Sequence, residues 1–150
     1  MESESQSLSV QSEAEMLAFA SRVAALLEPG HLVILEGDLG AGKTFFSRAI
    51  AYALGVPDDL PVTSPTFALV HDYPESEPPL LHADLYRLTP GDPLEDLGLE
   101  SDDHVRLVEW GAAFVEELGA PDLLIRIFLT GETSRRVEVS GPLAAAIVRS

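Results

Sequence analysis

The sequence predicts an α/β domain of three layers, in which a largely parallel central sheet carries antiparallel additions. Short apolar runs typical of buried strands alternate with stretches of helical periodicity, as they do in layered α/β proteins. One strand-to-helix transition contains a glycine-rich loop at residues 37–44. Two further segments, 67–86 and 123–140, each contain two strand patterns joined by a turn, which predicts the antiparallel additions.

The loop at 37–44 has the sequence GDLGAGKT and fits the phosphate-binding pattern G-x-x-x-x-G-K-[ST] at every fixed position. Residues 31–36, ahead of it, form an apolar run rich in strand formers. Behind it, apolar residues recur at helical spacing as far as Leu54, and Gly55 follows as a helix stop. Because strand, loop and helix are the context in which this pattern binds phosphate, the sequence predicts a P-loop NTPase fold.

Each residue type in the loop suits a nucleoside triphosphate. Glycines allow unusual dihedral angles and bring the main chain close to a ligand with no Cβ in the way. The loop amides then converge on the anion, and the following helix adds the positive end of its dipole. Lys43 reaches the β- and γ-phosphates, and the Thr44 hydroxyl holds Mg²⁺. The predicted nucleotide-binding residues of the loop are Gly37, Asp38, Leu39, Gly40, Ala41, Gly42, Lys43 and Thr44.

Lys43 is the only lysine of the chain, whose other eight basic residues are all arginine. A drift in composition against lysine explains the scarcity, but it does not explain the position. A flexible ammonium group and a planar guanidinium group are not interchangeable at a phosphate site. The retention of lysine at this one position therefore favours a phosphate-binding role.

Composition indicates one globular domain over residues 1–150, with a core of ordinary size. The chain has no cysteine, so disulfides, thiolate metal sites and thiol nucleophiles are excluded. No apolar run approaches membrane-spanning length, and the N-terminus is acidic, so we expect a cytoplasmic protein that meets no membrane. A net charge of −16 argues against a direct grip on nucleic acid. It indicates either a highly solvated surface or an acidic face for a basic partner.

Taken in order, the first nine residues are polar, and we expect residues 1–9 to be disordered. Residues 12–15, SEAE, form a capping-box pattern that opens a helix, and Pro29-Gly30 ends that helix. After the loop and its helix, a proline-rich turn at 74–79 separates two strands of a predicted hairpin within 67–86. The apolar face of the first helix is predicted to contain Met16, Leu17, Ala20, Val23, Ala24 and Leu27.

The second half of the chain adds further strands and helices. A helical turn is predicted at 93–97, a strand at 105–108 and a helix at 112–118. Strands at 123–129 and 136–140 are joined by a turn, and a terminal helix is expected at 142–148. No internal repeat or linker divides the chain.

Two carboxylates stand where apolar strands end. Asp84 follows the run LLHA, and Glu109 follows the run VRLV. A nucleotide site of this kind needs a second carboxylate at a strand end, to hold Mg²⁺ directly or through water. Asp84 and Glu109 both qualify, whereas an arbitrary acidic residue at a strand end is usually a solvated turn or a helix cap. Spacing leaves open which of the two contacts the metal and which orients water.

Three other residues have competing interpretations. Thr66, in the triplet SPT, suits a switch threonine that senses the γ-phosphate and Mg²⁺, and it equally suits an ordinary proline turn. His82 stands at an alternating strand position beside two leucines, which is more typical of a buried core histidine than of a ligand. Trp110 either belongs to the core or forms a lid over the nucleotide.

Five segments in fixed order carry a family resemblance: GDLGAGKT, SPTFALVHDY, HADLYRL, LEDLGLE and VEWG. With these motifs the chain resembles the TsaE family, also called YjeE, over roughly residues 10–141. Its members are bacterial ATPases needed for the threonylcarbamoyladenosine (t6A) modification of tRNA. The set of motifs is far more specific than the phosphate loop alone.

The resemblance implies a small P-loop ATPase with ATP and Mg²⁺ as its ligands. TsaD- and TsaB-like proteins of the threonylcarbamoyl transferase machinery would be its partners, and tRNA would be met only indirectly. ATP hydrolysis would reset the machinery between rounds of transfer, while the transfer chemistry would belong to the partner.

Residue by residue, the resemblance implies that the stretch from Gly37 to Lys43 cradles the phosphates. Thr44 would ligate Mg²⁺, Thr66 would be switch-like and Asp84 would be Walker-B-like. The resemblance makes Glu109 a Mg²⁺ ligand or a base that orients water, which makes Lys43, Thr66, Asp84 and Glu109 the catalytic set. Trp110 would close over the site, and the start of the first helix, at Ser12 and Glu13, would lie near the base.

The chain departs from the family after the EW pair. A polar or acidic residue often follows shortly after that pair in the family, whereas this chain has Gly111-Ala112-Ala113.

Other functions compete with this interpretation. One is a small-molecule kinase, although no arginine that could belong to a lid occurs between Glu109 and Arg126. A GTP switch is disfavoured because guanine readout typically uses an asparagine motif and the chain has no asparagine. A nucleotide-bound adaptor that never hydrolyses ATP remains a third alternative.

Overall fold

The structure, a computed structural model, describes residues 5–38, 40–57, 70–94 and 97–149. Within these ranges a seven-stranded sheet is flanked by helices. The strands are β1 (Gln6–Val10), β2 (Leu32–Gly37), β3 (Val70–Tyr73), β4 (Leu80–Asp84), β5 (Val105–Glu109), β6 (Leu123–Leu129) and β7 (Arg135–Ser140). The helices are α1 (Glu13–Ala24), α2 (Lys43–Ala53), α3 (Val115–Leu118) and α4 (Ala144–Arg149), and a 3₁₀ turn at Ala112–Phe114 leads into α3.

The sheet has the order β1-β7-β6-β2-β5-β4-β3. Its four central strands are parallel, because β2 pairs in parallel with both β5 and β6 and β5 pairs in parallel with β4. The outer pairs, β3 with β4, β6 with β7 and β7 with β1, are antiparallel. The predicted fold class is therefore confirmed, and within the described residues the antiparallel additions are the pairs β3 with β4 and β6 with β7.

Alternating side chains of β2 supply both halves of the core. Val33 and Leu35 face the larger half, where α1, α2 and α4 pack against the sheet. Leu32 and Ile34 face the smaller half, which is covered by Phe114 and by apolar residues of the segment after β4. Because β2 is buried on both faces, its sequence is a continuous apolar run, as expected of a central parallel strand.

Several sequence predictions need correction. Residues 6–9 are not disordered: they belong to β1, which pairs with β7 from Gln6 to Val10. Leu17, assigned to the apolar face of α1, is 47% exposed, and Phe19 is buried instead. The predicted helix at 112–118 is a 3₁₀ turn followed by one turn of α-helix.

Other predictions fall partly or wholly outside the described residues. The strand expected at 67–73 is described only from residue 70, where β3 begins. The helical turn at 93–97 includes residues 95–96, which lie outside the described ranges. No helix among the described residues has the length and apolar character that crossing a bilayer requires.

Candidate nucleotide site at the carboxyl edge of the parallel strands

The phosphate-loop pattern and both predicted carboxylates meet at one edge of the sheet. Strands β2, β4 and β5 end at Gly37, Asp84 and Glu109 respectively. In the parallel register Glu109 lies beside Leu35 on one side and beside Asp84 on the other. The carboxyl edge of a parallel sheet is where α/β proteins bind their ligands. Sequence spacing could predict the two strand ends, and the sheet brings them together.

Two glycines of the loop have geometric reasons to lack a side chain. Gly42 is the N-cap of α2 and has a φ of 112°, a left-handed conformation that residues with a Cβ rarely adopt. At Gly37 a Cβ would lie 2.7 Å from the carbonyl oxygen of Ile127, closer than atoms pack. The main chain can therefore turn sharply from β2 into α2 while staying against β6.

The ammonium group of Lys43 bonds the loop that precedes it. Its Nζ donates to the carbonyl oxygens of Gly37, at 2.5 Å, and of Asp38, at 3.0 Å. The Trp110 ring covers it, with Nζ 4.3 Å from the ring centroid, a cation–π distance. Burial lowers the pKa of Lys43 from 10.5, and the nearby Glu109, Glu36, Asp84 and Asp38 carboxylates oppose that shift. Lys43 is 5% exposed.

Glu109 is a buried carboxylate, 2% exposed, with two side-chain partners. Its Oε2 accepts a hydrogen bond from Ser47 Oγ at 3.0 Å and lies 2.6 Å from His82 Nε2. The sequence suggested a core histidine at position 82, and the side chain is indeed buried, yet it contacts a residue of the candidate site. Ser47 was not predicted, because a bond across 62 positions leaves no local pattern.

Asp84 and Trp110 frame the opening of the site. Asp84 is half-buried, and its Oδ1 accepts a hydrogen bond from the main-chain N–H of Tyr86 at 3.0 Å. Trp110 has a φ of 63°, and its main-chain N–H donates to the carbonyl oxygen of Leu35 at 3.0 Å. The Tyr86 and Trp110 rings pack 4.9 Å apart. A cavity of about 260 Å³ opens here, lined by Gly40, Gly42, Lys43, Thr44, Phe45, Asp84, Tyr86, Glu109 and Trp110.

A second cavity, of about 330 Å³, lies between the phosphate loop and the start of α1. Ser12 and Glu13 line it, together with Ala41, Gly42 and Phe45. It therefore adjoins the loop at the place where the family resemblance puts the nucleotide base. The role of Ser12 and Glu13 in base contact stays a prediction.

Two further side chains bond the main chain around the loop. Arg135 Nε, from β7, donates to the carbonyl oxygen of Ala41 at 2.8 Å. Glu36 Oε2 accepts from the main-chain N–H of Ala112 at 2.7 Å, in the segment where the chain departs from the family pattern. Leu39 and Thr66 lie outside the described residues, so their predicted roles stay predictions.

The donor set around the first cavity fits Mg²⁺. Thr44 offers a hydroxyl oxygen, and Asp84 and Glu109 offer carboxylate oxygens, which are the hard ligands that this ion prefers. Mg²⁺ usually keeps several waters and takes only one or two carboxylates from the protein. Accordingly, the described residues contain no cluster of three or more acidic or histidine side chains suited to holding a metal on their own.

The sheet order, the loop between β2 and α2 and the carboxylates at the strand ends define an α/β protein of the P-loop class. Its fold resembles a solved structure, the crystal structure of YdiB from Bacillus subtilis, with a TM-score of 0.78 at 29% identity. That alignment covers 99% of this chain and 97% of the other.

The family model described as "Threonylcarbamoyl adenosine biosynthesis protein TsaE" matches residues 10–137, and the chain belongs to this family. The resemblance identified from the motifs is thereby confirmed. Among curated relatives, the "tRNA threonylcarbamoyladenosine biosynthesis protein TsaE" of Streptomyces coelicolor is 44% identical, over 84% of this chain and 90% of its own. The protein of the same name from Bacillus subtilis is 41% identical, over 82% of this chain and 77% of its own.

Proposed function

We propose that the chain is the ATP-binding and ATP-hydrolysing subunit of the machinery that makes threonylcarbamoyladenosine in tRNA. Family membership supports the pathway, because the relatives carry that pathway in their names. The observation that carries the ATPase assignment is the position of Lys43, whose ammonium group lies in a glycine loop beside a cavity lined by Thr44, Asp84 and Glu109. Phosphate transfer to water needs that combination of cation, metal ligand and water-orienting carboxylate.

In this proposal some residues of the site bind the nucleotide and others act in hydrolysis. The loop amides and the start of α2 bind the phosphates, and Lys43 exchanges its carbonyl partners for phosphate oxygens. Thr44 and one carboxylate hold Mg²⁺, and the other carboxylate orients the attacking water. Bound Mg²⁺ would neutralise charge on the phosphate oxygens. Trp110 closes over the phosphates from the side opposite the loop, which limits the access of other water.

In this proposal hydrolysis is slow in the isolated chain and is accelerated by partners that resemble TsaD and TsaB. The ATPase cycle resets the partner transferase between rounds, and the transfer of the threonylcarbamoyl group takes place on the partner. The chain meets tRNA only through the complex, because its net charge of −16 repels a polyanion.

The test is phosphate release from ATP by the chain alone and with TsaD- and TsaB-like proteins, for the wild type and for Lys43→Ala. Arg22→Ala is a matched control, because it also removes one cation but in the last turn of α1, where Arg22 bonds the carbonyl oxygen of Ile147. We expect Lys43→Ala to lose at least about 100-fold in turnover, as the removal of a group that stabilises transition-state charge does. Arg22→Ala should keep the wild-type rate.

Three results would contradict the proposal. Native turnover in Lys43→Ala would remove the phosphate-loop argument. Fast hydrolysis that no partner changes would remove the coupling to a transferase. Phosphoryl transfer to a metabolite, with no phosphate released, would instead identify a kinase.

Asp84→Asn and Glu109→Gln probe the two carboxylates without removing volume. Each should reduce kcat by more than it weakens ATP binding, because both groups act on the metal and the water rather than on the base. Calorimetric titration with a non-hydrolysable ATP analogue measures binding separately from turnover. Full kcat in either variant would make that carboxylate part of the scaffold.

A further inference from the structure

The carboxylate of Glu109 has two partners that the proposed ATPase cycle does not use. Ser47 comes from α2 and His82 from β4, so two different elements converge on one oxygen, Oε2. All three side chains are nearly inaccessible, with 1% of Ser47, 1% of His82 and 2% of Glu109 exposed. A buried carboxylate with two donors has a fixed orientation, because no water competes for either bond.

The ring of His82 has its proton on the nitrogen that faces Glu109. At 2.6 Å, Nε2 and Oε2 need a proton between them, so Nε2–H donates to the carboxylate. The other ring nitrogen, Nδ1, is buried and has no hydrogen-bond partner among the described residues. A proton on Nδ1 would be a buried donor without an acceptor, which costs more than an unpaired acceptor nitrogen. The geometry therefore directs Nε2–H of His82 at the Glu109 carboxylate.

Both bonds end on Oε2, and neither uses the other carboxylate oxygen, Oε1. Glu109 also lines the nucleotide cavity, together with Thr44 and Asp84. We propose that His82 and Ser47 are positioning residues that hold Oε2 and so present Oε1 of Glu109 to the metal and water of the nucleotide cavity. This inference rests on the proposed function and extends it from the carboxylate to its supports.

The positioning has a physical reason in the neighbouring cation. Lys43 bonds two carbonyl oxygens of the loop and not the Glu109 carboxylate. An unrestrained carboxylate at this depth would turn toward the ammonium group, because their attraction is strong where water is excluded. Such a pair would withdraw both groups from the phosphates. Two donors on Oε2 oppose that rotation and keep Glu109 apart from the ammonium group.

A matched pair of amide variants tests the role of His82. In His82→Gln the amide nitrogen has the same number of bonds from Cβ as Nε2 of the imidazole, so it can donate to Glu109. In His82→Asn the nitrogen takes the place of Nδ1 and stops one bond short. Both variants are polar and uncharged, and they differ from each other by one methylene group.

For His82→Asn we expect kcat for ATP hydrolysis with partners to fall by about 10–100-fold, the usual effect of losing a partner that orients a ligand residue. The KM for ATP and the affinity for a non-hydrolysable analogue should change little, because the proposed function assigns Glu109 to the metal and the water and not to the base. His82→Gln should recover most of kcat. Equal kcat in the two folded variants, whether high or low, would overturn the proposal. If His82→Asn does not fold, Ser47→Ala decides instead: a reduced kcat supports the positioning role and an unchanged kcat contradicts it.

A measurement that needs no turnover separates this inference from the proposed function. In protein labelled with ¹⁵N in its histidines, the His82 ring signal is the one that His82→Gln removes. We expect a protonated Nε2 with slow exchange, and rapid exchange once Glu109→Ala removes the acceptor. An unprotonated or freely exchanging Nε2 would refute the hydrogen bond. If the wild type releases no phosphate under any condition, the proposed function fails and the NMR result alone decides whether Glu109 is held.

Discussion

Lys43 faces a competition between two sets of oxygen atoms. The carbonyl oxygens of Gly37 and Asp38 hold its ammonium group under the Trp110 ring, and phosphate oxygens would need the same group. Its burial disfavours the charge, since an ammonium group loses hydration in a site with few water contacts. A bound ligand with several negative charges would instead favour the charged form of Lys43. We therefore expect Lys43 to couple the proposed nucleotide binding to pH.

We expect ATP binding to take up protons in the alkaline range. Burial lowers the pKa of Lys43 from 10.5, and a bound triphosphate would raise it again, so in the window below 10.5 the complex holds more protons than the free protein. Affinity should accordingly fall as pH rises through that window. Calorimetry at about pH 9 in two buffers with different ionisation heats measures the uptake. Equal apparent enthalpies in the two buffers would contradict the expectation.

The same contact should make the single tryptophan of the chain a reporter of the proposed nucleotide binding. The Trp110 ring lies over the Lys43 ammonium group, which should leave that position when it bonds phosphate. We expect the intrinsic fluorescence to change on addition of ATP with Mg²⁺, and to stay constant for Lys43→Ala at the same concentrations. A signal that is identical in both proteins would show that Trp110 does not sense Lys43.

The residues of the site differ in how far sequence could predict them. The loop has a fixed pattern, and Asp84 and Glu109 follow apolar strands, so their common edge followed from the rule for parallel sheets. The link from Ser47 to Glu109 has no such pattern, since it depends on how α2 packs against β5. Periodicity indicates that position 82 is buried, but it does not show whether a buried side chain also makes a polar contact. The contact between His82 and Glu109 could therefore not be predicted.

At the scale of elements, the start of α1 shows what a capping pattern can specify. Ser12 Oγ accepts from the main-chain N–H of Glu15 at 3.2 Å, as the pattern predicts. The carboxylate of Glu15 reaches back one residue further than expected, to the N–H of Gln11 at 2.8 Å. Because β1 ends at Val10, this bond ties the connection between strand and helix as well as the helix itself.

Ser12→Ala should therefore lower the free energy of unfolding by about 1 kcal/mol, the usual effect of losing an N-cap side chain. Ser21→Ala is the matched control, because Ser21 is exposed in the interior of the same helix and alanine is the better helix former there. Urea unfolding followed by circular dichroism measures both variants. Equal stability in the two would show that the cap contributes nothing.

Strand β1 could not be predicted from its local sequence. Its sequence, QSLSV, alternates polar and apolar residues, but it is short and follows a polar terminus, so composition favoured disorder. In the structure Leu8 packs against the core and Val10 is buried, and β7 supplies the hydrogen bonds. The partner strand β7 is about 125 residues away in the sequence. A local pattern around residues 6–10 therefore cannot reveal the pairing.

At the scale of the whole molecule, the layered α/β class followed from the alternation of strand and helix patterns. The strand order did not, because it depends on pairings between distant segments such as β2 with β6. The parallel centre was predictable, since a strand, a helix and a second strand in one sheet connect in parallel. The two antiparallel hairpins followed from short turns.

The net charge of −16 predicts a stability that depends on salt. Like charges on one surface repel, and added ions screen them over about 10 Å at 0.1 M. We expect the melting temperature to rise by several degrees between about 0.02 M and 0.5 M sodium chloride, where about 1 kcal/mol corresponds to 2–4 °C. Differential scanning calorimetry without nucleotide measures it. A constant or falling melting temperature would show that the acidic groups are already neutralised by their neighbours.

The pairing of β1 with β7 also constrains the order of events during synthesis. Gln6–Val10 is synthesised about 125 residues before the strand it hydrogen-bonds, Arg135–Ser140. The central strands and the glycine loop can assemble before β7 is synthesised, and residues 6–10 have no partner strand until then. A ribosome stalled before residue 135 should therefore expose this segment to protease, and release of the full chain should protect it.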